Sequence, residues 1–135
     1  MKSVVEKQYK SRLNAVVKAE KLSEKITRKL GFDENDRMDI AIAVTEAINN
    51  AIFHGNHQQP DKQVILRFEF DNASLRIIVR DQGSGFDREA VDDPLSPENL
   101  TKPDGRGLLI LESLMDSVTV KPSLHGTEVT MVKRR

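Results

Sequence analysis

Glu46 and Asn50 stand four positions apart in a stretch, Ile40 to Phe53, that is otherwise mostly apolar. On a helix that spacing puts both on one face, one turn from each other. A carboxylate so placed can take a proton or orient a water. An amide oxygen beside it can serve as a hard ligand to a magnesium ion that keeps waters and phosphate oxygens. The alternative is structural: a buried carboxylate and amide each need a partner, and an internal cap or a bond to a loop would supply one. A second constellation is Asp81-Gln82-Gly83-Ser84-Gly85. At a strand end, its aspartate can accept from an exocyclic amine, and its glycines let the backbone approach a flat ring. The same string also suits an ordinary strand-to-loop turn. A third is Gly105-Arg106-Gly107 ahead of the apolar run Leu108 to Leu111. Backbone N–H groups at a helix start attract anions such as a phosphate chain, although glycines there can also simply begin a helix. No Gly-x-x-x-x-Gly-Lys-Ser/Thr string and no Gly-x-Ser-x-Gly elbow is present. His54 and His57 have no evident third ligand, so a zinc site is not expected, and His54 is read as ending the helix or lining the cleft edge.

The elements that must carry these residues follow from periodicity. Val4 to Tyr9 reads as a short edge strand. From Ser11, Leu13, Val16, Val17, Leu22, Ile26 and Leu30 recur at helical spacing, and Gly31 stops the run. Asp33 caps a second helix from about Glu34 to Phe53, apolar nearly all round and hence mostly buried, and closed by Gly55. Val64, Leu66, Phe68 and Phe70 alternate, as do Leu75, Ile77 and Val79, with Asp71-Asn72-Ala73-Ser74 as the turn between two strands. Residues 88–104 hold three prolines and read as a loop. A third helix runs from Leu108 to about Met115, and two strands follow, joined at Leu124-His125-Gly126. The order β, α, α, β, β, α, β, β predicts an α+β fold: a two-layer sandwich, with helices on one face of a mainly antiparallel sheet.

Composition narrows the classes. With 135 residues and 38% hydrophobic content, the chain reads as one domain over 1–135 with a real core. Lysine plus arginine number 21 and aspartate plus glutamate 21, so no global field holds a polyanion. Aromatics are 4%, too few for a base-stacking platform, and direct nucleic-acid binding is not expected. The terminal Lys133-Arg134-Arg135 run is read as a frayed, solvated tail. There is no cysteine, no long apolar run and no signal-like start, so the expected compartment is the cytoplasm, without a membrane partner.

In this order, each on its expected element, Glu46-Ala47-Ile48-Asn49-Asn50-Ala51, Asp81-x-Gly83-x-Gly85 and Gly105-x-Gly107-Leu108 resemble the N, G1 and G2 boxes of the gyrase, chaperone, histidine kinase and mismatch-repair ATPase superfamily, the Bergerat fold. The likeness spans about residues 4 to 132. Glu46 through Gly55, Gly105 through Val118, and Gly126-Thr127 are similar to the small anti-sigma factor serine kinases in particular.

The resemblance implies a catalytic base at Glu46 and a magnesium ligand at Asn50. It implies an adenine-reading carboxylate at Asp81, beside Gly83 and Gly85, and a phosphate-side loop at Gly105, Arg106, Gly107 and Leu108. Thr127 falls near the adenine pocket. Residues 88–104 occupy the ATP-lid position, where Thr101-Lys102-Pro103 is a partial echo of the Phe-Thr-Thr of nearer relatives and Lys102 joins the nucleotide contacts. The implied activity is an ATP- and Mg²⁺-dependent protein-serine kinase. It would act as a homodimer that sequesters a sigma factor or other regulatory protein and phosphorylates a serine of a small antagonist. At 135 residues the chain lacks room for a transducer domain or a histidine-bearing dimerisation hairpin. The short lid leaves an alternative: an adaptor that binds ATP or ADP and its partners but phosphorylates neither. The basic residues Arg12, Lys18, Lys21, Lys25 and Arg28 of the first helix are read as solvated or as meeting an acidic partner.

Overall fold

Apolar alternation along three stretches builds the sheet first. The computed structural model describes residues 2–56, 59, 61–83, 107–123 and 125–135. Strands β1 (Ser3–Lys10), β2 (Gln63–Phe70), β3 (Ser74–Asp81), β4 (Ser117–Ser123) and β5 (Gly126–Arg134) form one sheet in the order β1-β2-β3-β5-β4. Every neighbouring pair is antiparallel. The register puts Phe68 opposite Ile77 and Ile77 opposite Met131, all fully buried, with Val5 and Val118 extending the row. The other face is polar. Arg67 reaches Glu69 at 2.8 Å and Glu6 at 3.3 Å, and Arg80 reaches Glu128 at 3.0 Å.

Among the described residues, three helices cover the apolar face: α1 (Asn14–Leu30), α2 (Glu34–Asn50) and α3 (Gly107–Leu114). Gly31 ends α1 in the left-handed region at φ 81°, with its N–H on Arg28 and that of Phe32 on Thr27. Asp33 caps α2, its Oδ1 accepting the Asp36 N–H at 2.8 Å. These are the stop and cap expected from the sequence, and the element order and layers agree as well.

Some expectations are corrected. The second helix does not run regularly to Phe53: α2 ends at Asn50 and widens into a single π turn, Ala51–Gly55, closed by the Asn56 N–H on the Ala51 carbonyl at 2.8 Å. As expected, α2 is mostly buried, with one ridge facing out. It packs against α1, α3 and β3, and its remaining ridge leaves Met38 57% and Ile42 46% exposed. On α1 the buried side is Ala15, Ala19, Ser23, Ile26 and Thr27, while Leu13 and Val17 face outward at 60% and 53%. Val16, Leu22 and Leu30 are partly buried and pack against the same core, as the stripe predicts.

The terminal basic run is not frayed either. Lys133 and Arg134 belong to β5, and Arg135 lies over the Phe32 ring at 5.8 Å. The Lys133 Nζ donates to the Leu114 carbonyl at 2.7 Å and lies 3.7 Å and 3.8 Å from Asp36 and Asp39. It thereby ties the C-terminal end of α3 to the first turns of α2. The loop expected over residues 88–104 lies outside the described residues.

The β2–β3 turn gives a pH prediction. The Asp71 Oδ1 accepts the N–H groups of Ala73 at 2.8 Å and Ser74 at 2.9 Å. Those two bonds hold its carboxyl below the ordinary carboxylate value. A carboxyl lowered in the folded state contributes stability above its unfolded value, and that contribution is lost as pH falls through the folded value. Asp71→Asn keeps the acceptor but cannot titrate. The variant should be less stable than wild type at neutral pH, and the difference should close as pH falls below about 4. Thermal midpoints measured across that range check this, and parallel profiles would refute it.

Candidate functional site

Asp81, the last residue of β3, is a carboxylate only 6% exposed. Burial of that kind demands donors. Its Oδ1 accepts the Gly83 N–H at 3.1 Å and the Thr127 N–H at 3.0 Å. Backbone closes around it. A Cβ on Gly55 would sit 2.1 Å from the Asp81 Oδ2, and one on Gly126 would sit 2.1 Å from the Asp81 carbonyl oxygen. A Cβ on Gly83 would come 1.9 Å from the Gly55 carbonyl oxygen. Three segments therefore meet at this carboxylate: the end of the π turn, the exit of β3 and the β4–β5 hairpin. Each arrives as glycine because no side chain fits between them. Gly126 also holds φ 141°, a conformation that side-chain-bearing residues rarely adopt. A carboxylate fixed in this way presents oriented acceptor atoms to a planar donor such as an exocyclic amine.

Glu46 and Asn50 lie on α2, half-buried and one turn apart. The π turn carries the chain directly from Asn50 to Gly55, which touches Asp81. The helix that bears Glu46 and Asn50 is thus joined to the carboxylate pocket through five residues. A π turn inserted at a helix end is a frequent feature of functional sites. Gly107 begins α3, and Leu108 is half-buried behind it. Leu111 and Met115 bury the inner side of α3 and its end.

The structure therefore gathers Asp81, Gly83 and Thr127 in direct contact, and places Glu46 and Asn50 on the helix leading into that contact. Gly107 and Leu108 open α3 as expected. Gly85, Lys102, Gly105 and Arg106 lie outside the described residues, as do His57 and the side chain of His54. Among the described residues no cluster of three histidines or carboxylates could hold a metal. A magnesium ion bound chiefly by phosphate oxygens and one amide oxygen needs no such cluster, so Asn50 fits that role.

Two participants were absent from the sequence reading. Gly55 appeared there only as a helix stop, yet it floors the Asp81 pocket. Asn56 was not singled out at all, although its side chain is fully buried and hydrogen-bonded at both ends. The only signal was an amide immediately after the glycine that closes a helix.

Comparison with known proteins agrees with this geometry. A family model for the histidine kinase-like ATPase domain matches residues 9–133. Serine-protein kinase RsbW of Staphylococcus epidermidis is 36% identical over 110 residues, covering 76% of this chain and 69% of the relative. Serine-protein kinase RsbW of Bacillus licheniformis is 37% identical over 114 residues, with 80% and 71% covered. An anti-sigma F factor of Oceanobacillus iheyensis is 34% identical over 101 residues, with 71% and 68% covered. Among solved structures, the RsbU and RsbW domains of a Mycobacterium tuberculosis protein superpose with a TM-score of 0.73 at 19% identity; the match covers 98% of this chain and 32% of that one. The mycobacterial sensor histidine kinase MprB gives 0.58 at 17% identity, covering 98% and 97%. At such identities the superpositions show the shared fold.

Proposed function

Because the chain belongs to the histidine kinase-like ATPase family, we propose that it is an ATP-dependent protein-serine kinase of the anti-sigma type. It sequesters a sigma factor or a similar regulator, and it phosphorylates a serine of a small antagonist. The observation that carries this reading is the buried Asp81 carboxylate, fixed by two backbone donors and joined through the π turn to the helix bearing Glu46 and Asn50. Asp81 takes the adenine amine, and Thr127 supports it from β5. Asn50 holds Mg²⁺ together with phosphate oxygens, and the ion supplies neutralisation of phosphate charge. Glu46 accepts the proton of the substrate serine as the serine oxygen bonds to the γ-phosphorus and the bond to the bridging oxygen breaks, releasing ADP.

The single domain over 1–135 works as a homodimer in the cytoplasm, and no described helix is long and apolar enough to cross a membrane. Arg12, Lys18, Lys21, Lys25 and Arg28, all exposed, give α1 and the residues before it a basic side that an acidic partner surface would meet. The antagonist displaces the first partner, and its phosphorylation reverses the exchange by adding charge at the contact.

Incubation with γ-labelled ATP, Mg²⁺ and the cognate antagonist tests the reading. Label on an antagonist serine is expected. ATP binding without transfer would instead make the chain a nucleotide-binding adaptor. Asp81→Asn adds a specific arm, since its amide can turn a donor toward the adenine amine. The loss should be about 1–3 kcal/mol of ATP binding, read by calorimetry. Unchanged affinity would remove Asp81 from the adenine site.

A further inference from the structure

Asn56 is fully buried and belongs to none of the motif residues. Its Oδ1 accepts the Gln82 N–H at 2.8 Å, and its Nδ2 donates to the Gln63 carbonyl at 3.0 Å. The Gln63 N–H in turn donates to the Gln82 side-chain oxygen at 2.8 Å. The result is a closed ring of hydrogen bonds linking the end of the π turn, the start of β2 and the residue immediately after Asp81. One residue earlier, Gly55 lies against the Asp81 carboxylate, and its carbonyl lies under Gly83. The ring therefore grips the backbone on both sides of the carboxylate pocket. Its own side chains do not enter that pocket: Asn56 bonds the Gln82 backbone, and Gln82 turns away to Gln63.

We propose that Asn56, clasped with Gln82 and Gln63, is the positioning residue that aims Asp81 at the adenine amine and so sets the preference for adenine nucleotides. The proposal rests on the reading that Asp81 takes that amine. An amide suits the position because one group must accept from a backbone N–H while another donates to a backbone carbonyl. The Gly83 and Thr127 N–H groups hold the Asp81 Oδ1, and the clasp holds the Gln82 backbone that lies between Asp81 and the Gly83 donor. A small rotation of the backbone at Gln82, just past the end of β3, would turn the Asp81 oxygens away from a ring held against the glycines.

The readout is the ratio of affinities for ATP and ITP, measured by calorimetry on the whole chain alongside thermal unfolding. ITP carries a carbonyl oxygen where ATP carries the amine, so it cannot donate to Asp81. Wild type should prefer ATP by about 10-fold or more. Asn56→Ala should shrink that preference by about 10-fold, through weaker ATP binding with ITP binding nearly unchanged. Gln82→Ala alters an exposed residue and opens the ring on one side only, and it should shrink the preference about threefold. It carries the test if Asn56→Ala does not fold. A residue that merely supports the fold would lower the unfolding temperature and leave the ratio in the folded protein intact. An unchanged ratio in the variants that fold would overturn the proposal and leave Asp81 in place. Absence of any ATP preference in wild type would overturn both.

Discussion

With Glu46 replaced by alanine, ATP should bind at close to wild-type affinity while phosphoryl transfer falls about 10²–10⁴-fold, the usual loss for a general base. Glu46 stands one turn before Asn50 on α2, on the far side of the π turn from Asp81. On the proposed reading the site is divided: adenine is held at one end of this path, and the proton of the attacking serine is removed at the other. Removing the carboxylate at the second end leaves the first untouched. Glu46→Gln, which keeps size and hydrogen-bonding capacity but not basicity, should show the same deficit. Single-turnover transfer of labelled phosphate, measured beside calorimetric binding, separates the two ends. Transfer at the wild-type rate would exclude Glu46 as the base, and a collapse of binding would make it a ligand contact.

The largest loss of stability is expected at Gly126. Its φ of 141° lies where a side chain is strained, at about 1–3 kcal/mol. A Cβ there would also press to 2.1 Å from the Asp81 carbonyl oxygen. That is a backbone atom that cannot swing aside, and overpacking adds about 1–3 kcal/mol. Gly126→Ala should therefore destabilise the protein by about 3–5 kcal/mol, and Thr127 should lose its grip on Asp81 in whatever folded protein remains. Gly31 supplies the control. It too has a positive φ, 81°, but a Cβ there meets first the flexible end of Arg135 at 3.1 Å. Gly31→Ala should cost only about 1–2 kcal/mol and leave nucleotide binding unchanged. Denaturant unfolding of the two variants checks the difference, and equal losses would contradict it.

Much of this was legible in the chain. Asp33, Gly31 and Asp71 act locally, within three or four residues, so their types alone announced a cap, a stop and a turn. The alternation of β2 and β3 showed their inner faces because those strands carry an apolar and a polar side. The first and second boxes, Glu46 to Asn50 and Asp81 to Gly83, were found for a similar reason: each is a short string on one element. What stayed hidden depends on elements distant in sequence. The gathering of Gly55, Gly83 and Gly126 on Asp81 exists only after three segments meet. The π turn leaves no trace in periodicity, since Ala51, Ile52 and Phe53 continue a helical pattern whichever carbonyl their N–H groups choose. On α1 the apolar stripe was right in part: Ile26 is buried and Val16, Leu22 and Leu30 pack against the core, while Val17 faces out and small residues, Ala15, Ala19, Ser23 and Thr27, take buried places that apolar spacing does not announce. Lys133 to Arg135 looked solvated by charge, yet pairing with β3 and contacts to Leu114 and Phe32 hold them.

The register of β1 on β2 also bears on how the molecule assembles. Ser3 faces Phe70 and Lys10 faces Gln63, so both helices of the α1–α2 pair lie inside the loop that this ladder closes. The α1–α2 hairpin and the β2–β3 hairpin are each joined by a few residues and close small loops. Closing the large one costs more chain entropy and gains nothing until β2 is in place. Among the described residues β1 has a partner on one side alone, and most of its residues are exposed. It should accordingly be the last strand to join during folding and the first to detach in the native ensemble, while the β2–β3 ladder that carries Asp81 stays closed.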